Sequence, residues 1–156
     1  MSIMQMLVAK ITPPIKEWNL NFASFDGFLK NYLYIGLTEG SPRSPCFSSD
    51  GLKLYFAGDT NNAIFQYSVS HPWDVSTATY EYKFNLTSAN DRPSSIVFKP
   101  DGSKVYVLDT SDDAVYQYDL TTNWELSSAS YANKFKYVST QDSGSHAIAF
   151  KPDGSK

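Results

Sequence analysis

Phe98-Lys99-Pro100-Asp101-Gly102-Ser103-Lys104 decides how this chain is read, because the same seven residues return unchanged as Phe150-Lys151-Pro152-Asp153-Gly154-Ser155-Lys156. A third version, Phe47-Ser48-Ser49-Asp50-Gly51-Leu52-Lys53, lies 51 residues before the first, and the identical copy lies 52 after it. Within the heptapeptide, Pro presets one backbone angle and Gly accepts a positive φ without steric cost, which together spell a tight turn. Self-similarity at a fixed period is the signature of a repeat architecture.

The register extends outward from the turn. Tyr55 matches Tyr106, Gln66-Tyr67 matches Gln117-Tyr118, and Trp73 matches Trp124, each at a spacing of 51. Tyr80 and Tyr131 keep the same offset, as do Lys83-Phe84 and Lys134-Phe135. The start of the chain joins in. Trp18-Asn19-Leu20-Asn21-Phe22-Ala23-Ser24-Phe25 follows the pattern of Trp73-Asp74-Val75-Ser76-Thr77-Ala78-Thr79-Tyr80 and of Trp124-Glu125-Leu126-Ser127-Ser128-Ala129-Ser130-Tyr131.

One unit spells four short strands. Residues 94–98 and 105–108 flank the turn as a hairpin. Residues 114–118 follow a second turn, 110–113. A longer connection with Trp124 leads to a fourth strand at 133–138. Four antiparallel strands per unit is the plan of a propeller blade, and stacking such sheets buries faces that one sheet alone cannot. The expectation is therefore an all-β β-propeller with four-stranded antiparallel blades of about 51 residues, its ring incomplete in this chain. The divisions are 1–46, a partial blade with third and fourth strands (Met6 to Ile11, then the region after Trp18); 47–97, a blade; 98–149, a blade; and 150–156, the start of another. The recurring Trp is expected to pack between blades or to close over an edge.

The F-x-P-D-G-x-K-x-Y-V pattern resembles the YVTN and lactonase-like class of β-propellers. The W-[DE]-[VL]-S-[ST]-A-[ST]-Y segment resembles propeller repeats of phage and marine microbial virion or surface proteins. The resemblance spans about residues 6–156 and implies a fold that hosts enzymes, scaffolds and adhesins alike. A ring needs about four to eight blades. Either the chain is a piece of a longer repeat protein, or identical chains complete one another's split blades. Both readings leave unpaired strand edges, so self-association is expected.

Composition narrows the function classes. Aromatic residues make up 15% of the chain, with 11 Tyr and 10 Phe, and these favour strands. A net charge of −3 without a basic stripe argues against nucleic acid as a partner. No run of about 18 apolar residues is present to span a membrane as a helix. In the opening MSIMQMLVAKITPP, Lys10 follows the apolar run where a secretion signal has its charge in front. Asn85-Leu86-Thr87 fits a glycosylation acceptor and is read as coincidence. The single cysteine, Cys46, cannot make an internal disulfide or a cysteine-based zinc site; it reads as a small buried apolar residue.

The candidate chemistry is sparse. Asp109, Asp112 and Asp113 cluster at a turn and have the oxygen chemistry for Ca²⁺. Their counterparts, Gly58-Asp59-Thr60-Asn61-Asn62, keep one acid, so they are expected to be turn residues. His71 and His146 occupy different points of the repeat and form no local metal pair. No G-x-S-x-G elbow, phosphate loop or dinucleotide fingerprint occurs. Polar loops such as 87–92 and 139–144 suit contacts with a protein or glycan partner. The reading of the sequence is a non-catalytic binding or structural module with no catalytic, cofactor or metal residues and no cofactor. A virion or extracellular surface is the favoured setting. The alternatives are a lactonase-like hydrolytic propeller and an intracellular interaction scaffold.

Overall fold

Eight strands in two sheets fill the part of the chain that the computed structural model describes, residues 39–86, 92–142 and 144–151. The first sheet takes β1 (Pro42–Phe47), β2 (Lys53–Gly58), β3 (Ala63–Val69) and β4 (Ala78–Asn85) in that order. The second takes β5 (Pro93–Phe98), β6 (Lys104–Asp109), β7 (Ala114–Leu120) and β8 (Ala129–Tyr137). Every neighbouring pair is antiparallel. The chain is all-β, its sheets are those of propeller blades, and neither closes on itself. The described residues belong to one compact unit, Leu33–Lys156. The strand expected at Met6 to Ile11 lies outside the described residues.

The repeated heptapeptide builds the first hairpin of each sheet. Gly51 N–H donates to the Ser48 carbonyl at 3.0 Å and Gly102 N–H to Lys99 at 2.8 Å. Both glycines have positive φ, +73° and +75°. The carboxylates of Asp50 and Asp101 accept from the backbone N–H two residues on, Leu52 and Ser103. Each tryptophan then folds back onto its own turn. Trp73 N–H donates to Gly51 and Trp124 N–H to Gly102, at 3.1 and 3.0 Å. A Cβ on Gly102 would lie 2.4 Å from the Trp124 ring, and one on Gly51 2.6 Å from Trp73. Only glycine fits here, for its φ and for the ring above it. Both tryptophans themselves have positive φ. A single 3₁₀ turn follows each, Val75–Thr77 and Leu126–Ser128.

The core lies between the sheets. Tyr55, Ala57 and Ile64 of the first face Val105, Val107, Tyr116, Tyr118 and Leu126 of the second. Burying a large apolar side chain of this kind contributes about 1.5–3 kcal/mol. The opposite face of the first sheet carries Leu54, Phe56, Phe65, Tyr67 and Val69. Strand alternation thus gives each sheet two faces with a period of two.

The register also holds a difference that the sequence spacing conceals. Gln66 pairs with Tyr82 and Tyr67 with Tyr80, so Glu81 is an extra residue in β4. Gln117 pairs with Lys134 and Tyr118 with Tyr131, so β8 carries two extra residues, Ala132 and Asn133. The structural counterpart of Phe84 is therefore Lys136, not Phe135, although Phe84 and Phe135 are 51 apart in sequence. A one-residue slip moves side chains to the other face, and here it puts lysines where the first sheet has aromatics.

Residues 145–151 follow the second sheet without strand pairing to a described neighbour. They nevertheless sit as a first strand would. Ile96 N–H donates to Ser44 Oγ at 3.0 Å where β5 meets the first sheet, and Ile148 N–H donates to Ser95 Oγ at 3.2 Å. The rings of Tyr55 and Phe98 are 4.4 Å apart, those of Tyr106 and Phe150 4.7 Å. The step from the first sheet to the second is repeated from the second to this segment.

Candidate functional site

A polar cluster is embedded in the apolar contact between the sheets. Gln66, on β3, is 1% exposed. Its amide N–H₂ donates to Glu81 and to Glu125, each at 2.9 Å. Its carbonyl oxygen accepts from Leu126 N–H at 2.8 Å. Lys53 reaches Glu81 at 2.8 Å and Glu125 at 2.9 Å. Tyr55 O–H donates to the Trp124 carbonyl at 2.6 Å. Three consecutive residues of the second sheet's connection, Trp124, Glu125 and Leu126, are thus read by Tyr55, Gln66 and Lys53 of the first. The bulge at Gln66/Tyr67 supplies the geometry: the extra residue of β4 is Glu81, which turns towards Gln66.

Electrostatics agree with the hydrogen bonds. Burial opposes the charge on Lys53, but its bonds to Glu81 and Glu125 outweigh that and raise its pKa. Burial likewise opposes the Glu81 carboxylate, yet donation from Gln66 and Lys53 holds its pKa below the usual value. Burial pushes the Tyr55 phenol up, so it stays a neutral donor.

The outer face of the second sheet presents the same receptor with different surroundings. Tyr106, Gln117 and Lys104 stand where Tyr55, Gln66 and Lys53 stand in the first. All three are half-buried. Lys104 pairs with Asp119 at 2.5 Å, and Gln117 donates to the same oxygen at 2.8 Å. A groove of about 250 Å³ is lined by Tyr106, Val115, Gln117, Lys134, Lys136 and Phe150, among others. A smaller hollow of about 140 Å³ lies beside Lys99, Pro100, Tyr106 and Phe150.

The acidic turn serves the backbone. Asp109 is fully buried and accepts from the N–H of Arg92 and of Ser111. In the first sheet the corresponding N–H groups, Ser41 and Thr60, donate to Glu39 instead. Gly58 stands at the position of Asp109, and a Cβ there would lie 2.3 Å from the Glu39 carboxylate. One sheet brings its clamp from the strand itself, the other from the preceding segment past a glycine. Glu39 also accepts from the side chain and N–H of Asn61. Burial opposes its charge, but these bonds hold its pKa low. Asp112 accepts from the Tyr116 phenol, and Asp113 takes a left-handed turn conformation, as Asn62 does. No group of three metal-ligating side chains forms among the described residues.

The remaining candidates lie apart. His71 is exposed, with Nδ1 beside Ser70 Oγ. His146 is exposed on the C-terminal segment. Cys46 packs against the core, and burial pushes its thiol up to about 12, far from a reactive thiolate. No helix among the described residues is long and apolar enough to cross a membrane. Sequence reasoning passed over Gln66, Lys53, Glu81 and Glu125 as chemistry. The recurring Gln-Tyr pair was the visible signal, a polar residue held at the repeat spacing inside an apolar strand.

These features define the class: two adjacent, latched blades of a propeller-like all-β protein. Among solved structures, the chain is similar to one described as a putative 6-phosphogluconolactonase from Bacteroides uniformis, with a TM-score of 0.56 and 17% identity. The match covers 76% of this chain and 34% of that one. At this identity the likeness shows the fold. No protein-family model matches the chain, so the YVTN repeat has no counterpart there. No curated protein matches it either. The flat expectation of a non-enzyme is corrected by the structural likeness: the architecture is shared with a protein described as a lactonase, an enzyme. The sequence reading erred because it took missing local motifs as evidence, whereas sites on such folds are assembled from residues distant in sequence.

Proposed function

We propose that the chain contributes blades to a lactonase-like hydrolytic propeller. In this reading residues 47–97 and 98–149 are whole blades, 1–46 completes a preceding one and 150–156 opens the next. The observation that supports it is the match to a lactonase-type fold over 76% of the chain. The reaction would add water to the acyl carbon of a cyclic ester and break its ring C–O bond, releasing a hydroxy acid. Pre-aimed donors in the ring's channel would stabilise the oxyanion. The test follows acid release from a panel of sugar lactones by pH-stat, at dilute and at high protein concentration. Turnover above the spontaneous rate supports the proposal. A rate equal to the spontaneous one for every lactone, at both concentrations, overturns it.

A further inference from the structure

We infer that the outer face of the second sheet is a docking site for an acidic peptide segment headed by tryptophan, of the Trp-Glu-Leu kind, which Tyr106, Gln117 and Lys104 read and Lys134 and Lys136 select for its acidity. The structure contains the bound form of such a contact once. On the first sheet, Tyr55 donates to the Trp124 carbonyl, Gln66 and Lys53 donate to the Glu125 carboxylate, and Gln66 accepts from the Leu126 N–H. The second sheet repeats those three receptor residues in register as Tyr106, Gln117 and Lys104. The place for the indole is built as well. Trp124 stands beside Phe98 and Tyr55, with ring centroids 5.1 and 6.4 Å away. Phe150 and Tyr106 form the same aromatic pair on the second sheet, and a hollow of about 140 Å³ opens beside them. Phe98, under its indole, is 8% exposed, whereas Phe150 is 44% exposed.

Charge sets what kind of segment fits. On the first sheet, Glu81 already shares Lys53, and β4 places Tyr82 and Phe84 opposite Gln66 and Ile64. On the second, the bulge of β8 holds Ala132 and Asn133 instead of an acid, and Lys134 and Lys136 stand opposite Gln117 and Val115. Tyr106, Gln117 and these two lysines border one groove of about 250 Å³. Lys104 beside it has Asp119 as its acid, which leaves the cations of this face in excess. In the bound example, β4 packs beside the 3₁₀ turn Leu126–Ser128. Lys134 and Lys136 therefore face the residues that follow the tryptophan and its acid. A segment with a further carboxylate in that turn complements the face, and such complementarity fixes which partner is taken.

Fluorescence anisotropy tests this with a labelled synthetic peptide that has the sequence of residues 122–131, titrated with the full chain. A short peptide must be ordered on binding, so a Kd of about 10–500 μM is expected. A peptide carrying Ser127→Asp binds about two- to fivefold tighter, and one carrying Glu125→Lys about tenfold weaker or worse. In the chain, Gln117→Leu keeps the volume, removes the hydrogen bonds and weakens binding about tenfold. Lys134→Glu abolishes the preference for the Ser127→Asp peptide. Circular dichroism confirms that each variant is folded. No saturable binding up to about 1 mM chain overturns the inference. So does equal binding of a scrambled peptide of the same composition, which would mean charge attraction alone, or binding that both chain substitutions leave unchanged, which would place the peptide elsewhere. Lactone turnover plays no part in this readout, so the inference stands or falls apart from the proposed activity.

Discussion

The two sheets are near copies in sequence, yet their equivalent residues live in different surroundings. Tyr55 is 0% exposed and Gln66 1%; Tyr106 and Gln117, at the same places, are half-buried. Trp124 lies over its turn and beneath the neighbouring Tyr55, with ring centroids 6.4 Å apart. Trp73 lies over the same turn but is 58% exposed. The difference teaches that a blade's residues acquire their energetic weight from the next blade. The repeat supplies the parts; adjacency decides which of them are buried.

Paired substitutions measured by denaturant unfolding, at concentrations where the chain is monomeric, sharpen that contrast. The largest effect is expected at the turn glycines. Gly102→Ala forces a side chain into a positive φ and into the Trp124 ring, costing about 3 kcal/mol. Gly51→Ala meets an exposed ring that can swing aside and should cost about 1–2 kcal/mol, mostly backbone strain. Equal losses would show that the inter-sheet packing of Trp124 adds nothing.

The next effect is at the glutamines. Gln66→Leu orphans Leu126 N–H and loosens two carboxylates, at a cost of about 2 kcal/mol. Gln117→Leu should stay within about 0.5 kcal/mol in the monomer. Smaller still, Tyr55→Phe loses one hydrogen bond to the Trp124 carbonyl, about 1 kcal/mol, while Tyr106→Phe leaves the unfolding midpoint where it was. A destabilised Tyr106→Phe monomer would mean that the outer face is engaged within its own chain.

The smallest effect is electrostatic. Lys53 has a raised pKa when folded, so its contribution is full below the ordinary value of 10.5 and fades as pH rises through the folded value. Glu81 has a lowered one, so its contribution is present above 4.5 and fades as pH falls through the folded value. Stability should therefore drop at both ends of the pH range. Lys53→Met should flatten the alkaline limb by less than about 1 kcal/mol, because the cluster is partly solvated. Salt should screen the Lys104–Asp119 pair, the more solvent-accessible of the two, more than the Lys53 cluster. An unaltered alkaline limb in Lys53→Met would remove the latch's ionic part.

Much of the fold was legible. The Asp-Gly turns, the four strands per unit and the repeat length follow from local rules: glycine's freedom at positive φ, alternation along strands, and a period that survives in Tyr, Gln and Trp. The acidic turn was legible as a turn because Asp and Asn bond their own backbone. The latch was not, since Gln66 and Glu125 are far apart in sequence and nothing local marks them as partners. Nor was the clamp exchange, in which Glu39 with Gly58 does in one sheet what Asp109 does in the other.

The sequence by itself determined the class of architecture and the repeat on which it is built, because turn and strand preferences are set by each residue and its nearest neighbours. Tertiary structure alone decided which copy of each repeated residue is buried, which face Phe84 and Lys136 occupy, and which polar groups meet across the blades. Those outcomes depend on the bulge of β8 being one residue longer than that of β4 and on which sheet lies beside which. Such facts belong to packing in three dimensions and have no counterpart in spacing along the chain.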